Sequence, residues 1–359
     1  MTALVIAGGG LAGAAAACEL ARAGAKVVVL ERSTEPSHKI CGEFLSTEAQ
    51  HYLGRLGVDP LALGGHLIDR VRLVRRADIV EAQLPFRGVG LSRFVLDEAL
   101  LDHATAVGAE VRRGVTVGEI SADIRFLATG KHDLRGVRRE TREEPEDLVG
   151  FKMYLRLQSA QLAALAGVVE VVLFDGGYAG LQRVEDGRVN LCLLIHRRRL
   201  AELGGIGELL AALSRENLHL RGRLEGAERL LSRPLTIARV PYGFVHQAQE
   251  GETLFRLGDQ ACVIPSFSGD GMSMALHSAA LAVRFQLAGA SPATFHRQLR
   301  RDVERPIRRA MQLYRFGRSV AGQIILLRAV RLWPGLLRQV AHATRVPSEA
   351  WLGNEGSEQ

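Results

Sequence analysis

Lysine is nearly missing from this chain, although the chain is basic. Of its 46 lysines and arginines only Lys26, Lys39, Lys131 and Lys152 are lysine, and the net charge is +7. Charge carried by arginine suits contact with phosphate and other anions, so nucleic acid, acidic lipid and a phosphorylated cofactor all fit it, as does a plain solvated surface. Nucleic acid ranks last: no basic segment is studded with aromatics and no zinc-finger spacing occurs, so no nucleic-acid partner is expected. The four cysteines, Cys18, Cys41, Cys192 and Cys262, are scattered without a CxxC pair. That pattern speaks against a disulfide framework or structural metal and makes a reducing cytoplasm the default location. The eleven histidines form no HxxxH or ligand cluster, so no metal is expected. A charged leader with a small-residue cleavage site is also missing, so the first apolar run reads as a strand and not as a signal peptide.

What is present begins with ALVIAGGGLAGAAAACELARAGAKVVVLERS. A short apolar run is followed by GxGxxG over Gly8, Gly10 and Gly13, with Leu11 and Ala12 between, then strong helix formers, Gly24 as a stop and a β-branched run ending on Glu31. This is a βαβ unit that binds a dinucleotide. Gly8 permits the sharp turn, Gly10 lets backbone N–H groups approach a pyrophosphate at the helix N-terminus, and Gly13 allows close packing of helix on strand. Glu31 sits where a carboxylate accepts hydrogen bonds from ribose hydroxyls. NAD(P) and FAD share this unit, and the unit alone leaves the choice open.

A second segment, TLFRLGDQACVIPSFSGDGMSMALHSAALA at 253–282, places a short strand before Gly-Asp, a proline loop, a Gly-x-Gly turn and an alanine-rich helix. Asp259 can accept from sugar-chain hydroxyls, Gly269 and Gly271 let backbone pass close to a flat ring, and the helix start favours negative charge. Together with Glu31-Arg32, this pairing resembles the FAD-dependent aromatic hydroxylase and geranylgeranyl reductase superfamily over about residues 1–300. The resemblance implies FAD as cofactor, with Asp259 on the ribityl chain and Gly271-Met272 beside the flavin O2 and N1 region. Within the same resemblance, Arg93 in GLSRFVLDEALLDHATAVGAEV would contact the cofactor, or else serve as a surface ion-pair partner. Ala128-Thr129-Gly130 matches an ATG or ADG signature near the FAD. Thr129 stands where aromatic hydroxylases have Asp, so their NAD(P)H-docking role is not carried over. The β-meander common in the superfamily has no room between Gly118 and Asp123.

The loop HKICGEFLS resembles the Lys-x-Cys-Gly loop of geranylgeranyl reductases and places Lys39, Cys41 and Gly42 beside the flavin, with Cys41 either touching substrate or serving as a small buried hydrophobe. Strand patterns at 71–86 and 150–195, with a hairpin expected at Asp186-Gly187, resemble the sheet that roofs the flavin. Tyr178 lies where geranylgeranyl reductases carry a Tyr-x-Trp-x-Phe-Pro motif whose other aromatics are absent here, and the Trp-x-Trp-x-Ile-Pro motif of flavin halogenases is absent too. Tyr242 and Phe244 are further substrate-side candidates, the alternative for both being plain core.

The expected fold is α/β: a GxGxxG FAD-binding, Rossmann-like domain with an inserted antiparallel-sheet substrate domain and a helical C-terminus. The FAD-binding part takes 1–70, 88–149 and 245–300; the substrate part 71–87 and 150–244; the helical region 301–345; and 346–359 is a polar tail, disordered after Pro347. The stretch 303–345 interleaves apolar residues with arginines, and its longest apolar run is too short to span a bilayer. Either it packs on the substrate domain, or it makes peripheral membrane contact through 315–340. The resemblance implies an FAD-dependent oxidoreductase, foremost a monooxygenase hydroxylating a lipophilic, aromatic or polyketide small molecule through a flavin C4a-hydroperoxide. The alternatives are a reductase of carbon–carbon double bonds and a flavin electron carrier to a membrane quinone or protein partner. NADPH or NADH would act only as a transient electron donor, and no obligatory catalytic side chain is expected, since the cofactor carries the chemistry.

Overall fold

The computed structural model describes residues 2–139 and 147–353. Two sheets organise them. The first is parallel, in the order β14-β7-β1-β2-β6, from β1 (Leu4–Ala7), β2 (Val27–Glu31), β6 (Glu110–Arg113), β7 (Ile124–Leu127) and β14 (Phe255–Arg256). β1 and β2 run in register from Leu4 opposite Val27 to Ala7 opposite Leu30. The second sheet is mixed, in the order β12-β8-β11-β10-β9-β4-β5-β3 with β13 also on β8. It comprises β3 (Phe44–Leu45), β4 (His66–Arg75), β5 (Asp78–Gly90), β8 (Leu148–Arg156), β9 (Gly167–Phe174), β10 (Gly177–Arg183), β11 (Val189–His196), β12 (Glu228–Arg229) and β13 (Leu235–Ala238). β4 and β5 thus begin before and end after the span 71–87, and β4 is the one strand that joins β9 in parallel. β10 and β11 turn back at Asp186 and Gly187, both at positive φ, as the Asp-Gly pair dictates.

Among the described residues eleven α-helices cover the sheets: α1 (Leu11–Arg22), α2 (Thr47–Arg55), α3 (Arg93–Ala106), α4 (Ser159–Ala163), α5 (Arg197–Glu202), α6 (Ile206–Glu216), α7 (Leu218–Leu224), α8 (Gly271–Leu287), α9 (Pro292–Gly317), α10 (Val320–Leu332) and α11 (Gly335–Ala343). Ala14 to Ala17 on α1 are buried small residues, which lets α1 lie close against α3, α8 and the first sheet. α6 and α7 fill one face of the second sheet with Leu209, Leu213 and Leu220. On the opposite face Leu327 and Val330 of α10 pack on Val71, Leu73 and Leu173. The helical region starts at Pro292, before position 301, because Ser291 caps the helix at Thr294 N and a proline suits its first turn.

The tail expectation is corrected for residues 347–353. Ser348–Ala350 form a 3₁₀ turn, Trp351 meets the His51 ring at 5.3 Å, and the Leu352 carbonyl accepts from Arg55 at 3.0 Å. Polar composition concealed two apolar anchors. The end of the tail from 354 and the stretch 140–146 lie outside the described residues. Among the described residues no single helix is long and apolar enough to cross a membrane.

Candidate functional site

A cavity of about 920 Å³ begins at the glycine turn and extends under the second sheet. At its first end Gly10 caps α1 without a side chain, so the helix N-terminus opens onto the cavity beside Leu11 and Ala12. Gly8 has φ +106°, and a Cβ there would meet the Ala128 carbonyl oxygen at 2.4 Å; a Cβ on Gly13 would meet the Gly8 carbonyl oxygen at 1.9 Å. Both glycines are therefore required by close approach, as the motif predicts.

Glu31 lines the cavity while accepting from Gly9 N (2.8 Å) and Ser33 N (2.9 Å). Burial opposes its charge, but those two N–H groups and the Lys39 ammonium outweigh burial and hold its pKa below the usual carboxylate range. The role of Gly9 as its partner was not visible in the motif. Arg93 also lines the cavity, with its guanidinium clasped by Asp97 at 2.6 and 2.9 Å. Arg93 is an ion-pair partner, though largely buried and not at the surface, and the pair fixes a cation beside Gly10. Arg32 holds His132 at 2.9 Å on the same rim.

The loop at 38–43 is clamped by side chains from four other places in the chain. The carbonyl of Lys39 accepts from Lys152 Nζ (2.9 Å), that of Ile40 from Lys131 Nζ (2.7 Å), those of Cys41 and Gly42 from Asn190 Nδ2 (3.0 and 2.9 Å), and that of Glu43 from Gln182 Nε2 (2.6 Å). Residues His38 to Glu43 all line the cavity, as do two of the donors, Lys131 and Gln182, so the clamp fixes the loop in the cavity wall. Beneath it the fully buried Lys152 and Glu43 form an ion pair, and the Tyr154 hydroxyl donates to the same carboxylate at 2.7 Å. Sequence spacing gave no sign of this clamp.

Thr129, Gly130, Asp259, Gly269, Gly271 and Met272 all reach the cavity. Asp259 sits in a 3₁₀ turn just after β14, and Gln260 ties that turn to the Gly130 carbonyl at 2.7 Å. Gly269 has φ +75° and lies against the Phe44 ring. A Cβ added at Gly42, Gly130 or Gly271 would meet no protein atom within 4 Å. Bare backbone at three points around the cavity, a carboxylate at the end of β2 and a helix start at Gly10 fit the ring, ribose and diphosphate of FAD.

On the substrate side the hydroxyls of Tyr178 and Tyr242 each share a hydrogen bond with Ser266 Oγ at 2.7 Å. Burial pushes both phenols above the usual tyrosine range, so they stay protonated. Cys192 places its Sγ 3.3 Å from the Cys41 carbonyl, and burial raises its thiol to about 12. The candidate Phe244 is corrected: it is buried with Val240 and Val263 and does not line the cavity, because the turn at Gly243 directs it into the core. Beyond the tyrosines the cavity becomes an apolar corridor between Val71, Leu73 and Val171 of the sheet and Leu326, Leu337 and Val340 of the terminal helices.

Away from the cavity, the fold gathers His246, Glu252 and His296, which sequence spacing did not reveal. Glu252 accepts from His246 at 2.8 Å and meets Arg256 Nε at 3.4 Å, so its charge is answered within the chain.

Comparison with known proteins agrees with this geometry. Residues 1–135 match the family described as FAD binding domain. The menaquinone reductase of Mycobacterium tuberculosis is 26 % identical over 314 residues, covering 78 % of this chain and 75 % of the relative. The menaquinone reductase of Mycolicibacterium smegmatis is 24 % identical over 325 residues, covering 80 % and 76 %. Among solved structures, the flavin-dependent brominase Bmp2 superposes with a TM-score of 0.77 at 16 % identity, over 98 % of this chain and 96 % of that one. The flavin-dependent halogenase CmlS gives 0.73 at 20 % identity, over 95 % and 71 %. These structures share the fold. FAD is the cofactor, and the chain, whose residues 1–135 match the FAD binding domain family, is an FAD-dependent oxidoreductase enzyme.

Proposed function

We propose that this enzyme reduces a lipid with a long apolar chain, of the isoprenoid-quinone type, at a carbon–carbon double bond. The observation that carries the reading is the apolar corridor, which continues from the cofactor seat between Val71, Leu73 and Val171 on one side and Leu326, Leu337 and Val340 on the other. A compact phenol would leave that apolar lining uncovered, whereas a polyprenyl tail would bury surface against it at about 25 cal/mol per Å². The menaquinone reductases that cover most of the chain support the same substrate class.

When bound and reduced by an external donor of the NAD(P)H type, FAD would supply the hydride. The chain's own residues supply the rest: Gly42, Gly130 and Gly271 admit the ring, the corridor excludes water and orients the substrate, and the neutral Tyr178 hydroxyl, beside Ser266 and Tyr242, holds a proton at its oxygen for the second carbon. Hydroxylation of a lipophilic aromatic is the second reading, favoured by the same hydroxyl cluster, which would grip a phenolic oxygen.

Mass spectrometry of the product separates the two. Enzyme reduced without oxygen and mixed with a detergent-dispersed menaquinone should give a tail two mass units heavier. A product found only with oxygen, and sixteen units heavier, would replace the reductase reading by the hydroxylase.

A further inference from the structure

The helices that wall the corridor have a second, outward side. Leu313, Leu326, Leu337 and Val340 turn inward to the cavity, while Leu332 is 87 % exposed, Ile325 54 % and Trp333 52 %. On α10 the exposed positions Ala321, Ile325, Arg328 and Leu332 recur at helical spacing and make one stripe. α10 and α11 bend by 118° about the break at Trp333 and Pro334, so Leu332 and Trp333 form a projecting corner. From 305 to 348 the chain has nine arginines and no Asp or Glu.

We infer that the Leu332–Trp333 corner docks into the surface of an anionic lipid bilayer, with Arg328 and Arg338 at head-group level, and that lipid enters the corridor from there. An apolar corner flanked by cations is the composition of an interfacial anchor: leucine and tryptophan enter the acyl boundary, and each arginine near the surface adds electrostatic attraction. Charge complementarity selects this occupant. A second copy placed symmetrically on this face would set Arg328 and Arg338 against their own copies, and the neighbouring carboxylate, Asp78, is already engaged by Arg331. The entry route rests on the reductase reading above; the docking itself does not.

The test uses the full, FAD-loaded chain and sedimentation with vesicles of phosphatidylcholine alone or mixed with phosphatidylglycerol. Binding to the mixed vesicles, weakened by salt and reduced at least tenfold in the double variant Leu332→Asp, Trp333→Ala, is the expected result. A second variant, Arg328→Gln with Arg338→Gln, should lose the anionic preference, and retained flavin absorbance shows that both variants are folded. Three results would overturn the inference: no binding to mixed vesicles, binding that both variants leave intact, or a dimer in solution that the corner variant splits. Turnover of detergent-dispersed menaquinone is read in parallel. Turnover without vesicle binding defeats the docking alone, and vesicle binding without turnover defeats the reductase reading alone.

Discussion

Lys152 and Glu43 meet as an ion pair in which neither side chain is exposed, directly under the loop that carries Cys41. The ammonium also donates to the Lys39 carbonyl, so one buried cation links the substrate sheet, the carboxylate and the loop. Burial pushes the Glu43 carboxyl above its usual range against the pull of Lys152.

Removing one partner strands the other in a dry interior. Lys152→Met should lower the unfolding free energy by about 3 to 5 kcal/mol, measured by urea denaturation of the holoenzyme. Glu43→Gln combined with Lys152→Met should recover part of that loss, because no lone charge remains.

The glycine turn offers a backbone test. Gly13→Ala puts a methyl where the Gly8 carbonyl oxygen already is, and Gly8→Ala adds unfavourable positive φ to a contact with Ala128. Each should cost about 1 to 3 kcal/mol or more and weaken flavin retention. Gly24→Ala is strained by its φ of +80° yet meets no neighbour within 4 Å, so it should be milder. Thermal unfolding and FAD fluorescence on dilution read the three together.

For the chemistry, Tyr178→Phe keeps the ring and deletes the hydroxyl that meets Ser266. Turnover should fall about 10²-fold with FAD affinity unchanged, the size of a lost proton donor. Steady-state kinetics on lipid substrate, paired with a flavin titration, checks both halves of that expectation.

A pH dependence follows from Asp270, the residue before α8. Burial raises its carboxyl to about 7, with Arg345 opposing and Glu48 adding to the rise. A carboxyl whose folded pKa lies above its unfolded value favours the native state in its protonated form. Its contribution is therefore complete below about 4, the unfolded value, and is lost as pH rises through 7. The stability difference between the natural chain and Asp270→Asn should shift in that direction between pH 4 and 8, followed by chemical denaturation across the range.

Much of the cofactor seat was legible because it is local. Gly8, Gly10, Gly13 and Glu31 lie within one βαβ unit, and their spacing alone encodes the turn, the helix start and the carboxylate. Asp259, Gly269 and Gly271 were legible for the same reason, as parts of a second strand-turn-helix. The clamp on the 38–43 loop was not, since Lys131, Lys152, Gln182 and Asn190 come from four distant places and share no period. Ser266 went unnoticed as an isolated hydroxyl until Tyr178 and Tyr242 converged on it. Trp351 and Leu352 were hidden in a polar tail, where composition outvoted a ring that meets His51 and a backbone N–H that donates to the Tyr52 hydroxyl across the fold.

Arg345 closes the chain on itself: it pairs with Glu48 at 2.7 Å and lies 3.6 Å from Asp270, just ahead of the segment that ends against α2. The far wall of the corridor is thereby held at both ends, by Arg345 after α11 and by α10, where Leu327 and Val330 are buried against the sheet and Gln323 donates to the Phe174 carbonyl. A chain cut before Arg345 would keep the α10 anchor and lose the one on the cofactor half, leaving the wall fastened to the substrate sheet alone.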